Sequence, residues 1–179
     1  MLDNWKILKK ETAFKNKWRQ VDRWDIQFPD GSQKDFYFTV SPDFVFVIAL
    51  AADKNIVLIN QYFIQSDENV LTLPAGYLDD GETPLATAKR ELLEETGYEA
   101  KEWMELGTQH AGKWTTNKVH FVLALGAYKK GEQDLEVSEY IEVIERSVTD
   151  VKEMLRAGKF GEVYAVAGLY LALDYLNKL

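Results

Sequence analysis

The sequence contains no cysteine, which excludes a disulfide framework, a thiolate zinc site and a cysteine nucleophile. Positive charge is scarce as well, since 21 Lys and Arg residues stand against 29 Asp and Glu, for a net charge of −8. Because phosphate contacts to nucleic acid need clustered Lys and Arg, this balance argues against a nucleic-acid-binding surface. The two histidines, His110 and His120, match no recognisable zinc pattern.

Long apolar runs are also missing from the chain. None approaches the ~20 residues that a membrane-spanning helix needs, and the opening MLDNWKILKKE lacks the apolar centre of a signal peptide. We therefore expect a soluble, cytoplasmic protein without a membrane partner. With 179 residues, 46% of them hydrophobic, the chain can bury one substantial core.

Several segments predict strands and helices. Residues 18–28 and 34–40 flank a Pro-Asp-Gly turn and predict a hairpin. The continuous apolar runs FVFVIALAA and NIVLINQYF predict strands buried on both faces. Further strands are predicted from EWMELGTQ, KVHFVLALGAY and IEVIERSV, and two final helices from DVKEMLRAGKF and EVYAVAGLYLALDYLNKL. This order predicts an α+β fold, an α/β/α sandwich in which a mixed sheet lies between helices.

The best-marked helix is predicted between Thr83 and Gly97. Thr83 is a favourable N-cap residue, Pro84 suits the first helical position, and Gly97 stands where a C-terminal glycine belongs. We therefore expect a helix over residues 84–96.

Three glutamates, Glu91, Glu94 and Glu95, fall on one arc of that helix. Like charges at i,i+4 repel by ~0.2–0.5 kcal/mol, and the only basic residues in the helix are Lys89 and Arg90. Arg90 lies one turn before Glu94 and is placed to pair with it. Carboxylates at fixed spacing are ligands that Mg²⁺ and Mn²⁺ accept. The arc indicates either a metal site or a solvated acidic face, and the residues before the helix favour the first.

The decisive spacing is Gly76, five residues, Glu82, seven residues, and then RELLEETGY from Arg90 to Tyr98. It closely resembles the Nudix box of the Nudix hydrolase family, with Tyr98 at a position where that family prefers an aliphatic residue. The resemblance implies metal-dependent hydrolysis of a nucleoside diphosphate linked to another group, with Mg²⁺, or alternatively Mn²⁺, as cofactor.

The resemblance also implies a role for each residue of the box. Glu91 and Glu95 are the main metal ligands that it implies. Glu94 and Glu82 add metal contacts or orient water, and the Ala75 carbonyl is a further ligand. Arg90 is implied to hold one of these glutamates in place.

Features outside the box resemble the branch of the family that hydrolyses ADP-ribose and nucleotide sugars. They are Gln61-Tyr62-Phe63, Leu73-Pro74-Ala75-Gly76, a strand region over residues 1–40 before a Nudix domain at 41–179, and two C-terminal helices. The branch implies a homodimer with exchanged N-terminal strands. It also implies that a nucleoside diphosphate sugar (ADP-ribose-like, or a GDP- or ADP-sugar) is cleaved to a nucleoside monophosphate and a sugar phosphate.

The same resemblance suggests two further groups of residues. Trp18 and Tyr37 match positions that stack on the base, although ordinary hairpin packing explains them equally well. The general base is expected in the acidic loop after the box, where Glu139 matches best, Glu136 is the reserve and Asp134 is a third candidate.

The chain also departs from that branch. Phe63 and Thr72 stand where ADP-ribose hydrolases often carry Arg and Glu, and HAGKW stands where they often carry a proline. These departures leave the preferred sugar open, with Phe63 or Trp114 as candidates for lining a base or sugar pocket and Lys113 for meeting a phosphate. The alternatives are a Nudix enzyme for a dinucleotide polyphosphate or nucleoside triphosphate, and a non-catalytic nucleotide-binding module.

Overall fold

The structure is a computed structural model that describes residues 4–177, so the ends of the predicted N-terminal region and of the last predicted helix lie outside the described residues. The chain forms two compact units. The first contains the residues up to Asp43 together with 109–118, and the second contains 44–108 together with the residues from Val119 onward. No sequence pattern indicates that residues 109–118 belong with the N-terminal strands. The division at residue 40 stays a prediction.

The first unit is built on an antiparallel sheet in the order β1 (Lys6–Lys15), β2 (Gln20–Gln27) and β3 (Gln33–Val40). Strands β2 and β3 form the predicted hairpin in continuous register, and Gly31 in its turn has a φ of 86°. Strand β1 lies within the strand region proposed for residues 1–40, but the sequence did not single it out as a strand. Its residues are mostly charged or polar and exposed, so the apolar alternation that marks a half-buried strand is weak.

Between residues 44 and 177 the structure has eight strands and three helices. They are β4 (Phe44–Ala51), β5 (Asn55–Phe63), β6 (Glu68–Thr72), β7 (Ala75–Tyr77), α1 (Pro84–Thr96), β8 (Tyr98–Glu99), β9 (Glu102–His110), β10 (Lys118–Lys129), β11 (Ile141–Ser147), α2 (Val148–Arg156) and α3 (Val163–Leu176). The main sheet has the order β11-β5-β4-β10-β8. It is mixed because β4 and β10 run parallel whereas β4 and β5 run antiparallel.

Strand β4 shows why the apolar runs are continuous. Val45 and Val47 pack in one core with Ala88 and Leu92 of α1. Phe46 and Ile48 pack in another core with side chains of α2 and α3, among them Val151, Leu155, Ala165 and Leu169. Alternate residues of the strand thus face different helical layers, and the predicted α+β sandwich is confirmed. No helix within residues 4–177 is long and apolar enough to cross a membrane.

Helix α1 has the predicted bounds and caps. The Thr83 hydroxyl accepts a hydrogen bond of 3.2 Å from the Ala86 N–H, and Gly97 ends the helix with a φ of 70°. The carbonyl of Gly97 accepts hydrogen bonds of 2.8 and 3.1 Å from the N–H groups of Lys130 and Gly131. The C-terminal end of α1 is thereby joined to the segment that follows β10.

Gly97→Ala is expected to destabilise the protein by about 2–4 kcal/mol. A positive φ costs an alanine about 1 kcal/mol relative to glycine, and a Cβ at Gly97 would also overlap the carbonyl oxygen of Gly131. Gly158→Ala is the matched control, because Gly158 has a similar φ of 63° with nothing within 4 Å of its Cβ position. Urea unfolding followed by tryptophan fluorescence measures both variants. Equal losses for the two would show that the overlap with Gly131 does not matter.

Candidate active site

Two glutamates of α1, Glu91 and Glu95, are buried although both carry carboxylates. Their relative exposures are 8% and 3%. They lie one helical turn apart, beside the positions of Ala88 and Leu92, whose side chains are in the core. Because they follow the apolar side of α1, these two carboxylates are buried. The sequence alone had left open that they form a solvated acidic face.

The charges of these two groups are poorly solvated. Burial raises the pKa of Glu91 to about 7, against the opposing effect of the neighbouring Arg90 guanidinium. Burial also raises the pKa of Glu95 well above its usual range, and the charge of Glu91 adds to that rise. Removing the charges from water thus opposes ionisation of both groups.

The loop before α1 covers both carboxylates with backbone. The Ala75 N–H donates a hydrogen bond of 2.8 Å to Glu95 Oε2. A Cβ at Gly76 would overlap the Glu91 carboxylate, so only glycine allows the loop to approach this closely. Pairing of Ala75–Tyr77 with β4 holds the loop in this position.

Arg90 links the remaining acidic residues of the box. Its guanidinium donates to Glu82 Oε1 and Oε2 at 3.2 and 3.0 Å, to Glu91 Oε1 at 2.7 Å and to Glu94 Oε2 at 3.0 Å. It also donates to the Tyr77 carbonyl at 3.2 Å. The hydrogen bond from Arg90 lowers the pKa of Glu82 to about 2. The predicted pairing with Glu94 is present, and it is one of three ion pairs with box glutamates.

The acidic loop over residues 130–140 is tied to the end of α1. The Gln133 amide donates to the Glu95 carbonyl at 2.6 Å, and the Asp134 N–H donates to the Glu94 carbonyl at 2.9 Å. Within the loop, the Glu136 N–H donates to the carboxylate of Glu139 at 2.9 Å.

Glu139 is the candidate base whose charge reaches the buried pair. It is partly buried, and its charge contributes to the raised pKa of both Glu91 and Glu95. The side chain of Glu136 is exposed, as is that of Asp134. Proximity therefore favours Glu139 among the three, while its role stays a prediction.

Phe63 lies beside the box loop, at a cavity of about 230 Å³. The cavity is lined by aromatic and polar side chains together with Leu73, Ala75 and Gly76; the polar ones are Gln61, Thr72 and Glu162, and the aromatic ones are Phe44, Phe46, Phe63, Tyr77 and Tyr164. Phe63 thus lines a cavity next to the box loop, and its contact with a base or sugar stays a prediction.

The other predicted substrate contacts belong to the first unit. Trp114 packs against Phe36 and Phe38, with ring centroids 5.9 and 6.2 Å away, and Lys113 Nζ lies 5.1 Å from the centre of the Trp114 ring. Tyr37 alternates with Phe36 and Phe38 along β3, so it faces the opposite side of that sheet from Trp114.

Trp18 lies at the turn between β1 and β2 with 73% of its surface exposed. Lys17 Nζ lies 4.3 Å from the centre of its ring. Since Tyr37 and Trp114 occupy different faces of the sheet, the four residues do not form one cluster within this unit.

A comparison with protein-family models matches residues 41–165 to the NUDIX domain, and these residues are more than half of the chain. The chain belongs to the Nudix family. The predicted fold class and the prediction of a Nudix hydrolase are both confirmed.

Two relatives of this Nudix protein match over nearly the full length of each chain. One is a methanol dehydrogenase activator of Bacillus methanolicus, and the other is an ADP-ribose pyrophosphatase of Bacillus subtilis. Each is 29% identical over 175 residues, which cover 96% of this chain and 92% of the relative. A crystal structure of an ADP compounds hydrolase superposes with a TM-score of 0.87 at 24% identity, covering 99% of this chain and 97% of that one, and this likeness shows the shared fold.

Nudix hydrolases generally use divalent metal ions, and the chemistry of the Glu91–Glu95 pair fits one. Two desolvated carboxylates one turn apart, covered by a glycine backbone, offer hard oxygen ligands whose repulsion a divalent cation relieves. Within residues 4–177, no group of three or more His, Asp or Glu side chains is arranged so that it could hold a metal ion. The Arg90 guanidinium instead binds Glu82, Glu91 and Glu94. The individual metal ligands remain predictions.

The sequence did not indicate two side chains that lie near this Nudix site, Gln133 and Glu162. Gln133 stands in an acidic loop without periodicity, and nothing in its neighbours indicates a contact with α1. Glu162 occupies the N-cap position of α3, where Ser, Thr, Asp or Asn is usual. A glutamate at this unusual N-cap position is the one sequence signal that could have indicated a contact of Glu162 outside its own helix.

Proposed function

We propose that this Nudix hydrolase cleaves the pyrophosphate bond of a nucleoside diphosphate sugar, releasing a nucleoside monophosphate and a sugar phosphate, with Mg²⁺ as its metal. The observation that carries the proposal is the buried pair of Glu91 and Glu95 beneath the 75–77 loop. The name of the B. subtilis relative, an ADP-ribose pyrophosphatase, supports a substrate of the ADP-ribose type.

Glu91, Glu95 and the Ala75 carbonyl are the proposed metal ligands, and Glu82 and Glu94 contribute further oxygen atoms. When bound, the ion neutralises charge on the pyrophosphate, polarises a P–O bond and lowers the pKa of an attacking water. Mn²⁺ offers the same coordination chemistry as an alternative. Arg90 orients the glutamates through the hydrogen bonds already described, and it therefore serves as a positioning residue.

Glu139 is the proposed general base, with Glu136 in reserve. A carboxylate in this place accepts a proton as the water oxygen bonds to one phosphorus. The bridging P–O bond then breaks, and its oxygen leaves with the phosphate of the second product. Hydrogen bonds from Gln133 and Asp134 to carbonyl groups of α1 keep the loop that carries this base next to the glutamates.

The first unit is proposed to bind the nucleoside and to form a homodimer through exchanged N-terminal strands. Trp18 and Tyr37 are the proposed stacking partners of the base, and Lys113 and Trp114 contact the remaining substrate. Large exposed side chains support an interface here, among them Trp5, Ile7 and Phe14.

Light scattering at micromolar concentration is expected to give twice the chain mass of 20.6 kDa. The interface proposed for the N-terminal strands places apolar side chains that are exposed in one chain against a second copy. A monomer mass would contradict the exchanged dimer without affecting the assignment to the Nudix family.

The test of the function is a substrate panel with Mg²⁺ and a coupled phosphatase that releases inorganic phosphate from the products. The panel contains ADP-ribose, ADP- and GDP-sugars, a dinucleotide polyphosphate and a nucleoside triphosphate. Faster turnover of the nucleoside diphosphate sugars is expected. A preference for the other nucleotides favours the alternative Nudix pyrophosphatase. Absence of turnover together with nucleotide binding favours the non-catalytic module, although the box retains all its glutamates.

Added Mg²⁺ is expected to raise the melting temperature of the metal-free protein. An ion that binds only the folded state at 100 times its Kd stabilises it by ~2.7 kcal/mol, which corresponds to about 5–10 °C for a chain of this size. Differential scanning fluorimetry with NaCl at equal ionic strength as control measures the effect. An equal shift in NaCl would contradict a specific site. The exposed control Glu102→Gln should keep the full shift and Glu95→Gln should lose most of it.

A further inference from the structure

Glu162 stands at the start of α3 and is directed toward β6. It holds the N-cap position, yet its side chain makes no capping hydrogen bond. Its Oε2 instead accepts a hydrogen bond of 2.8 Å from the Thr72 hydroxyl. The Gly161 N–H donates to the Leu71 carbonyl at 3.3 Å, and a Cβ on Gly161 would press into Val70. The backbone is therefore held close to β6, and tertiary contacts decide where Glu162 points.

Glu162 and Thr72 form the polar side of the 230 Å³ cavity beside the box loop. Gln61 adds an amide to the same lining. The apolar side is aromatic, with Phe44 packed edge-on against Tyr77 and Tyr164 at centroid distances of 5.8 and 5.2 Å. Flat apolar walls facing a few hydrogen-bonding groups are typical of small-molecule sites.

The size and place of the cavity limit what it can hold. Drug-sized ligands occupy ~300–1,000 Å³, so a cavity of about 230 Å³ takes one part of a nucleotide substrate. Ala75 and Gly76 line it, and Gly76 is also the residue whose backbone packs on the Glu91 carboxylate. A diphosphate at the glutamates would place its neighbouring group at this opening.

We propose that the cavity is the subsite for the sugar of the substrate, in which the Glu162 carboxylate accepts hydrogen bonds from sugar hydroxyls and Thr72 fixes that carboxylate in place. The inference rests on the proposed hydrolysis of a nucleoside diphosphate sugar and names the residues that select the sugar. Thr72 occupies one of the acceptor sites of the carboxylate, and the others remain for ligand hydroxyl groups.

The charge of Glu162 also excludes other substrates. A phosphate group in the cavity would meet this carboxylate at close range and be repelled, which selects against nucleotides that extend by further phosphates. A neutral polyhydroxylated group meets no such repulsion. Burial raises the pKa of Glu162, against the effect of the Thr72 hydrogen bond, and hydrogen bonds in such a poorly hydrated place are stronger than in water.

Calorimetric binding to the Glu95→Gln protein tests the subsite without turnover, with ADP-ribose and ADP as the two ligands. Adding Glu162→Gln is expected to raise the Kd for ADP-ribose by about 10- to 100-fold. This change in Kd corresponds to the free energy that a hydrogen bond to a charged group contributes. ADP, which lacks the terminal sugar, should change by less than about twofold. Glu153→Gln removes an exposed charge on α2 and should leave both affinities unchanged.

Equal losses for the two ligands, or no loss for either, would overturn the subsite. Thr72→Val and Thr72→Ser provide a second pair if Glu162→Gln does not fold. Valine removes the hydroxyl and should weaken ADP-ribose binding selectively, whereas serine keeps it and should bind as the parent does. Binding is measured separately from turnover, so the two proposals can fail independently. If the parent protein hydrolyses no substrate but Glu162→Gln still weakens ADP-ribose binding selectively, the proposed hydrolysis is refuted and the sugar subsite is retained.

Discussion

Glu95→Gln is expected to lower kcat on the preferred substrate by ~10³-fold or more. A bound metal ion stabilises transition-state charge by several kcal/mol, and each 1.36 kcal/mol corresponds to a factor of ten in rate. Glutamine keeps an oxygen that can accept the Ala75 N–H bond, so the loop should stay in place. Steady-state kinetics with saturating Mg²⁺ measure the change.

The same substitution should not reduce the stability of the metal-free protein. Burial raises the folded-state pKa of Glu95 above its unfolded value. A group with that sign favours the folded state below the unfolded pKa and opposes folding as pH rises above it. At pH 8 the neutral glutamine avoids the cost of burying the Glu95 charge. Urea unfolding of the metal-free variant should therefore give a free energy of unfolding that is equal to or higher than that of the parent. A large loss of stability would show that the rate effect comes from misfolding, and Glu102→Gln should behave as the parent in both measurements.

Gly76→Ala is expected to lower kcat by ~10²-fold with little loss of stability. The new Cβ would overlap the Glu91 carboxylate, and because that group is the end of a flexible side chain it can swing away. Displacing a catalytic group by about 1 Å can reduce the rate ~10²-fold. Kinetics as a function of Mg²⁺ concentration should show a higher metal requirement as well.

Gly81→Ala is the control for this effect. Gly81 lies in the same loop with a φ of 85°, and nothing approaches its Cβ position within 4 Å. Alanine there should cost about 1 kcal/mol of stability while kcat stays near the parental value. If Gly76→Ala retains parental kcat and metal requirement, the close approach of loop and carboxylate has no part in the reaction.

The features that the sequence predicted correctly depend on local chemistry. The bounds of α1 follow from the cap residues Thr83 and Gly97, whose preferences act within one turn. The apolar runs of β4 and β5 identify strands covered on both faces. Strand β7 was not predicted, because it is only three residues long and its pairing with β4 leaves no pattern along the chain. Strand β1 was not singled out, because nearly all of its residues are exposed and show no clear apolar alternation.

In the candidate site, too, some features follow from spacing along the chain and others from contacts between distant segments. Spacing along the chain placed Glu91, Glu94 and Glu95 together, since helical geometry relates residues three and four apart. Their burial, the reach of Arg90 to Glu82 and the contact of Gly76 with Glu91 join the helix to a loop.

The sequence by itself determined the family, the carboxylate-bearing helix and the class of fold, because each is encoded in residues close together along the chain. Only the tertiary structure decided that the glutamates are desolvated beneath a glycine backbone. It also brought Thr72 and Glu162 together, although 90 residues separate them. Burial and long-range hydrogen bonds are set by packing between elements, and no local spacing specifies them.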